Sequence, residues 1–477
     1  MSEIRSSVEG GYFLHILYLH THDTGRYIEP YGYPVSSPHL DGLAEEGTLF
    51  RNAFSAAPTC SPSRAGLLTG STPHQQGMLG LAHRGFSLKN YDRHLANYLQ
   101  NYGYETVLCG MQHVAAEAED IGYDKIIGLS EDGNPAGEYD EGEELSDATA
   151  IDRQNAVRAR EYLQGIPEVL EEGKEAFFLS LGLINTHLPF PAVGEDVDAD
   201  RLKPFHPLPD HPDVRKDMAE FQASLSVVDD IAGEILAALE NTGLDGETLV
   251  IFTTDHGLPF PRMKCTLYDE GIGVALILKY PGNPAAGEVE EALVSQLDIF
   301  PTICDLLDID RPDWLEGNSL LPLLQGSQEK IRDEIYGEIT FHAAYEPVRC
   351  IRTDRYKYIR NFSGASGPIP ANVDKSRTRE LLEKSGFYKL RENAKPEAGA
   401  EKPEEELYDL LLDPGERENR ADSPEYRDIK EDLKDRLKNW MKRTDDPLLE
   451  GPVDVPEGAK INRPGSDPES DAPGDYI

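Results

Sequence analysis

The sequence predicts an α/β protein in two parts: a mixed, mostly parallel sheet sandwiched by helices, then a smaller α+β subdomain. Three observations carry this. Short β-rich apolar runs alternate with helical patterns through the first 333 residues, as a largely parallel sheet requires. Phe221, Leu225, Val228, Ile231, Ile235 and Leu239 recur at helical spacing, an unbroken apolar stripe. From about Glu334 the pattern changes to short strands closed by an amphipathic helix. The expected boundaries are 1–333, 334–462 and a disordered acidic tail over 463–477.

Taken in order, the first strand is the apolar run Phe13–Leu19. Helices are expected over Pro38–Glu46, Ser63–Thr69 and Arg93–Asn101, then a strand over Thr106–Cys109. Helix Asp152–Leu163, strand Phe177–Leu183 and the long helix Lys216–Glu240 follow, the last carrying the apolar stripe. Strands Leu249–Thr253 and Val274–Leu278 and helix Asp298–Leu307 complete the first part. In the second, short antiparallel strands fall at Ile335–Ile339, Val348–Thr353, Tyr356–Asn361 and Glu406–Leu411. Helix Ile429–Met441 places Leu433, Leu437 and Trp440 on one face. Glu131–Asp147 reads as an acidic insertion and Arg391–Glu406 as a charged loop.

Composition narrows the function. Asp and Glu number 87 against 46 Lys and Arg, a formal charge of -41. Such a surface repels nucleic acid and anionic membranes. It repels polyanionic substrates too unless salt screens it, since the Debye length falls to roughly 3 Å at molar salt. With 39% hydrophobic residues the chain has normal material for a core, so the acidity points to a halophilic, salt-in cytosol rather than disorder. The five cysteines are few and scattered, and imply no disulfide framework. The run Tyr12–Leu19 lacks the flanks of a signal peptide, and no window has the length of a transmembrane helix. A cytoplasmic location is expected.

The most informative stretch runs from Thr59 to Gly70, T-C-S-P-S-R-A-G-L-L-T-G. Pro62 suits a first helical turn and Gly70 the position just past a helix end. Cys60 then sits at a helix N-terminus, which favours anions, with Arg64 one turn in. A thiol-based phosphatase cradle needs its arginine six residues after the cysteine, where this chain has Gly66. That reading fails. The bland alternative is a buried cysteine at the start of a core helix.

Four expected strands end in polar clusters: His20-Thr21-His22-Asp23, Gly110-Met111-Gln112-His113, Asn185-Thr186-His187-Leu188-Pro189 and Thr254-Asp255-His256-Gly257. Open α/β sheets bind ligands beyond these strand ends. Asp23, Asp255 and His256 form a plausible divalent-metal site, the carboxylates suiting hard cations such as Ca2+ and Mg2+. His113, His187 and Lys264 are placed to bind anionic oxygens or to protonate a leaving group.

C-x-P-x-R followed by x-x-L-L-T-G resembles the signature of the type I sulfatases of the alkaline phosphatase superfamily. P-H-L-D-G-L-A from Pro38, F-R-N-A-F from Phe50 and H-Q-Q-G-M from His74 extend the likeness. So do L-V-I-F-T-T-D-H-G-L-P-F-P from Leu249 and E-L-Y-D-L-L-L-D-P from Glu406. The resemblance implies an alkaline-phosphatase-like α/β domain with a four-stranded C-terminal subdomain. It implies that a formylglycine-generating or sulfatase-maturating enzyme oxidises Cys60 to formylglycine, whose hydrate supplies the attacking hydroxyl. It further implies Ca2+, with Mg2+ or Mn2+ as alternatives, held by Asp23, Asp255, His256 and the modified Cys60. Arg64 would stabilise formylglycine and the metal-side oxygens, while His113, His187 and Lys264 contact the sulfuryl group and leaving atom. The substrate class is a sulfated small molecule or saccharide, as ester or sulfamate.

Three positions depart from the family pattern. His22 stands where the first of two aspartates is common, leaving Asp23 as the safe ligand there. His256 replaces the asparagine of the sulfamidase branch, and Met111 a basic residue of the sulfate pocket. Two alternatives stand beside the sulfatase reading: a phosphonate or phosphate ester hydrolase on the same scaffold, and an inactive anion- or sugar-binding relative with unmodified Cys60.

Overall fold

A computed structural model describes residues 14–128, 148–166, 173–194, 197–363, 370–385 and 402–466. The acidic insertion Glu131–Asp147 and most of both the charged loop Arg391–Glu406 and the acidic tail lie outside the described residues.

Strands β1 (His15–Thr21), β2 (Thr48–Phe50), β3 (Tyr104–Gly110), β4 (Lys125–Ile126), β5 (Ala176–Gly182), β6 (Thr248–Thr254), β7 (Leu276–Lys279) and β8 (Val289–Glu290) form one sheet. Their order is β4-β3-β5-β1-β6-β7-β2-β8. Strands β4 to β6 in that order are mutually parallel, and β7 runs antiparallel to both of its neighbours. Both faces are apolar because both are covered. Leu17 and Leu19 face one layer and Ile16 and Tyr18 the other, as the two-residue strand period dictates.

Seven helices matter for the site and the core: α1 (Pro38–Glu46), α2 (Cys60–Thr69), α3 (Ala148–Gly165), α4 (Pro212–Thr242), α5 (Ile299–Leu306), α6 (Arg377–Ser385) and α7 (Arg427–Arg443). Helices α1, α3 and α4 cover the first face; α2 and α5 cover the second. All six residues of the expected stripe on α4 are buried in the first layer. Each such side chain contributes about 1.5–3 kcal/mol on burial, so packing rather than propensity fixes this helix.

The C-terminal sheet is antiparallel, in sequence order β9 (Glu334–Phe341), β10 (Tyr345–Thr353), β11 (Tyr356–Asn361) and β12 (Glu405–Asp409). Ile335, Ile339, Val348 and Ile359 pack on Phe54, Leu267 and Ile272 of the first part. The opposite face carries Ile351, Tyr358 and Leu407 and lies under Leu433, Leu437 and Trp440 of α7.

Register decides where the chemistry falls. Gly110 and His20 both align with Gly182, and Thr21 aligns with Thr254, so four strand ends finish level. Two of these ends admit only glycine. A Cβ on Gly182 would lie 2.0 Å from the Met111 carbonyl oxygen, and one on Gly110 (φ +85°) 2.2 Å from the Gly182 oxygen.

The loop after β5 is tied down by Asp152 of α3. Its carboxyl accepts the N–H of Ile184 (2.9 Å), the N–H of Asn185 (2.9 Å) and the Asn185 side-chain amide (2.7 Å). Ser224 of α4 donates to the Asn185 side-chain oxygen at 2.6 Å. Burial raises the Asp152 carboxyl to about 7, against the three donors, which favour its anion. A folded value above the ordinary 3.8 means that folding takes up a proton between these limits. The resulting stabilisation is complete below about pH 4 and lost as pH rises through about 7. Replacing Asp152 with Asn turns one acceptor into a donor facing Asn185 and should destabilise by about 1–3 kcal/mol. Denaturant titrations should show that deficit largest at about pH 4 and smaller at pH 8.

Candidate active site

The site grows from the N-terminus of α2. Thr59 is extended, Cys60 opens the helix, and Gly70 (φ 64°) ends it in a left-handed turn. Ser63 Oγ donates to the Asp255 carbonyl oxygen at 2.6 Å and stitches α2 to the end of β6. One turn into α2, the Arg64 side chain is 1% exposed. Its Nη1 lies 2.6 Å from His20 Nδ1, and its Nη2 donates to the Thr21 oxygen (2.9 Å) and to Asp255 Oδ2 (3.0 Å). Burial, and then Arg64 itself, hold the His20 imidazole well below its usual range, so it accepts from the guanidinium as a neutral ring. Arg64 Nε is buried and has no partner among the described residues, which leaves one donor for an anionic oxygen.

His22, Asp23, Cys60, Asp255 and His256 converge so that one ligand atom from each lies within 4.8 Å of all the others. Asp23 turns in with a left-handed backbone (φ 57°), its N–H donating to Asp255 Oδ1 at 2.8 Å. His256 Nδ1 faces the Gly257 carbonyl oxygen at 3.0 Å. Its Nε2 lies near Asp23 Oδ1 (3.2 Å), Asp255 Oδ2 (3.6 Å) and Cys60 Sγ (3.5 Å). Two carboxylates, imidazole nitrogens and a sulfur gathered this closely form a donor set that fits a divalent metal. Burial opposes the charge on both carboxylates. Lys264, His22 and His256 nevertheless hold Asp23 well below the ordinary range, and His256, Arg64 and His22 do the same for Asp255.

Beside this cluster, the Lys264 ammonium touches Asp23 Oδ2 (2.9 Å), His187 Nε2 (3.2 Å) and Asp374 Oδ2 (2.9 Å). Burial works against its charge, but the two carboxylates raise it well above the usual lysine range. His187 Nδ1 lies 2.5 Å from the Leu188 carbonyl oxygen and carries the ring proton, so Nε2 accepts from Lys264. His113 (φ 57°) puts Nδ1 3.2 Å from His22 Nε2. Burial is the first cause lowering both rings, His22 to about 3 and His113 well below its usual value.

The structure therefore gathers all eight residues singled out in the sequence: Asp23, Cys60, Arg64, His113, His187, Asp255, His256 and Lys264. Sequence reasoning passed over His22, whose Nδ1 lies 2.9 Å from Asp23 Oδ1 and 3.3 Å from Asp255 Oδ2. It also missed His20 as the Arg64 partner, and Asp374. His22 could have been found from its place beside Asp23; Asp374 carries no local signal.

The chain matches the sulfatase family over residues 15–309. It belongs to that family. Residues 256–367 also match the family described as N-sulphoglucosamine sulphohydrolase, C-terminal. The sulfatase is 30% identical to N-sulphoglucosamine sulphohydrolase of Homo sapiens over 473 residues, covering 89% of this chain and 88% of that one. It is 30% identical to an ulvan-active sulfatase of Formosa agariphila over 429 residues, 88% of this chain and 78% of the other. The solved structure of a 2-O GAG sulfatase shares the fold with a TM-score of 0.68 at 22% identity, covering 97% of this chain and 99% of that one. The chain is thus a sulfuric ester hydrolase by family, with the α/β architecture expected from its sequence. Among the described residues no helix is long and apolar enough to cross a membrane.

A ligand that binds only the folded state raises its stability by mass action, about 2.7 kcal/mol at a hundredfold excess over Kd. Ca2+ should therefore raise the melting temperature of the protein in a concentration-dependent way. The combined Asp23→Asn and Asp255→Asn variant should show no such rise in the same calorimetric titration.

Proposed function

We propose that this sulfatase removes sulfate from a sulfated sugar, through a formylglycine made from Cys60 beside a divalent cation. The observation that carries this reading is the position of Cys60: first residue of α2, and inside the donor cluster of Asp23, Asp255, His256 and His22. As a thiol, Cys60 is badly placed for chemistry. Burial pushes it well above its usual value, Lys264 and Arg64 pull the other way, and Asp23 and Asp255 add to the rise. A buried, protonated thiol is inert, which favours conversion over direct thiolate attack. The conversion needs a formylglycine-generating or sulfatase-maturating partner.

His22, Asp23, Asp255 and His256 would hold a divalent cation (Ca2+, Mg2+ or Mn2+), which would supply Lewis-acid chemistry to the attacking hydroxyl of the formylglycine made from Cys60. The remaining work falls to the chain itself. Arg64 fixes Asp255 and offers Nε to an anionic oxygen. Lys264 and His187 Nε2 share a proton on one side of the cluster, and that pair protonates the departing oxygen or nitrogen. His113, kept neutral by burial, accepts the proton released when the enzyme is regenerated. The sugar substrate is supported by the relatives, one named for N-sulphoglucosamine and one for ulvan.

Aryl sulfate turnover by the matured protein tests the reading directly, and His187→Gln should lower kcat by about 10²–10⁴-fold. With a net charge of -41, KM for an anionic substrate should fall as salt rises and screens the surface. Faster turnover of an aryl phosphonate than of the matching aryl sulfate would overturn the assignment in favour of phosphonate hydrolysis.

A further inference from the structure

Asp374 belongs to neither strand-end cluster nor motif, yet its Oδ2 lies 2.9 Å from the Lys264 ammonium. Its approach is built. The segment from 370 to 385 is anchored on one side by Asn372, which accepts the Ala344 N–H (2.7 Å) and donates to Glu346 Oε2 (2.9 Å). On the other side, Thr378 donates through both its N–H and its hydroxyl to Asp217 Oδ2 of α4, each at 2.7 Å. Arg377 adds contacts to Asp217 and Glu220, both at 2.8 Å. Asp374 is thus carried on a strap between the C-terminal sheet and the longest helix of the α/β part.

Exposure separates it from its neighbours. The side chains of Asp23 and Lys264 are 0% and 3% exposed, that of Asp374 21%. Its Oδ2 faces the Lys264 ammonium, and part of the side chain stays accessible to solvent. The carboxylate therefore backs onto the Lys264–His187 pair, on the side where the proposed leaving group departs.

We infer that Asp374 is a specificity-determining residue, reading the substituent next to the scissile sulfate: it accepts a hydroxyl or amine there and rejects a second anionic group. This rests on the sulfatase reading of the same site. A carboxylate oxygen can only accept a hydrogen bond. A second sulfate in its place would face a like charge, since Lys264, the cation in contact with Asp374 among the described residues, is already shared with Asp23 and His187. The implied substrates are sulfated at one position with a donor on the adjacent carbon.

Three aryl probes isolate the effect: phenyl sulfate, catechol monosulfate and catechol disulfate, binding measured calorimetrically with Ca2+ present on protein whose Cys60 is unmodified. Wild type should bind catechol monosulfate more tightly than phenyl sulfate and catechol disulfate at least about tenfold more weakly, a like-charge penalty of over 1 kcal/mol. Asp374→Asn should bring the disulfate within about threefold of phenyl sulfate, and Asp374→Glu should restore the discrimination. Binding of phenyl sulfate with the same disulfate ratio in wild type and Asp374→Asn overturns the role of Asp374 alone. Failure of phenyl sulfate to bind at all overturns the sulfate-site reading, and this inference with it.

Discussion

Two carboxylates that water does not reach, Asp23 and Asp255, stand at the ends of adjacent parallel strands with side chains 0% exposed. Burying one ionised carboxylate costs several kcal/mol after relaxation, and a second beside it adds repulsion. Everything around them answers that cost. Arg64 binds Asp255, Lys264 binds Asp23, and the Asp23 N–H is spent on Asp255 Oδ1. Three imidazoles close the ring, each pointing a ring nitrogen at one or both carboxylates. Between His256 Nε2 and the two carboxylates the donors converge where the proposed divalent cation would sit.

The fold supplies this arrangement through register. Because β3, β5, β1 and β6 end level, residues far apart in sequence become neighbours without any long side chain reaching across the sheet. Ser63 and Gln296 then lock α2 and the segment before α5 onto the end of β6, the latter by donating to the Thr254 oxygen at 2.5 Å. The position of Cys60, the proposed nucleophile precursor, is thereby fixed by backbone and packed helix, which is how a site holds sub-ångström geometry.

Much of this was legible in the sequence, for physical reasons that also explain the gaps. Cys60 and Arg64 are one helical turn apart, so spacing alone puts both on the same site. Strand-end clusters declare themselves because each follows a fully apolar run. By contrast, β2, β4 and β8 have only two or three residues, too few to show any period. His20 reads as one more strand residue; its role exists only once Arg64 reaches across from α2. His22 was set aside because an aspartate is common there, although its imidazole reaches both carboxylates of the cluster. Asp374 lies in a charged segment without periodicity, brought to the site solely by tertiary anchoring at Asn372 and Thr378.

The proposed chemistry turns on what Cys60 becomes. Peptide mass spectrometry of protein made in its native host, on a preparation shown to hydrolyse sulfate, is the most direct measurement. The proposed chemistry predicts that the peptide containing Cys60 carries an aldehyde in place of the thiol, in proportion to specific activity. Full activity with the Cys60 thiol intact would contradict it.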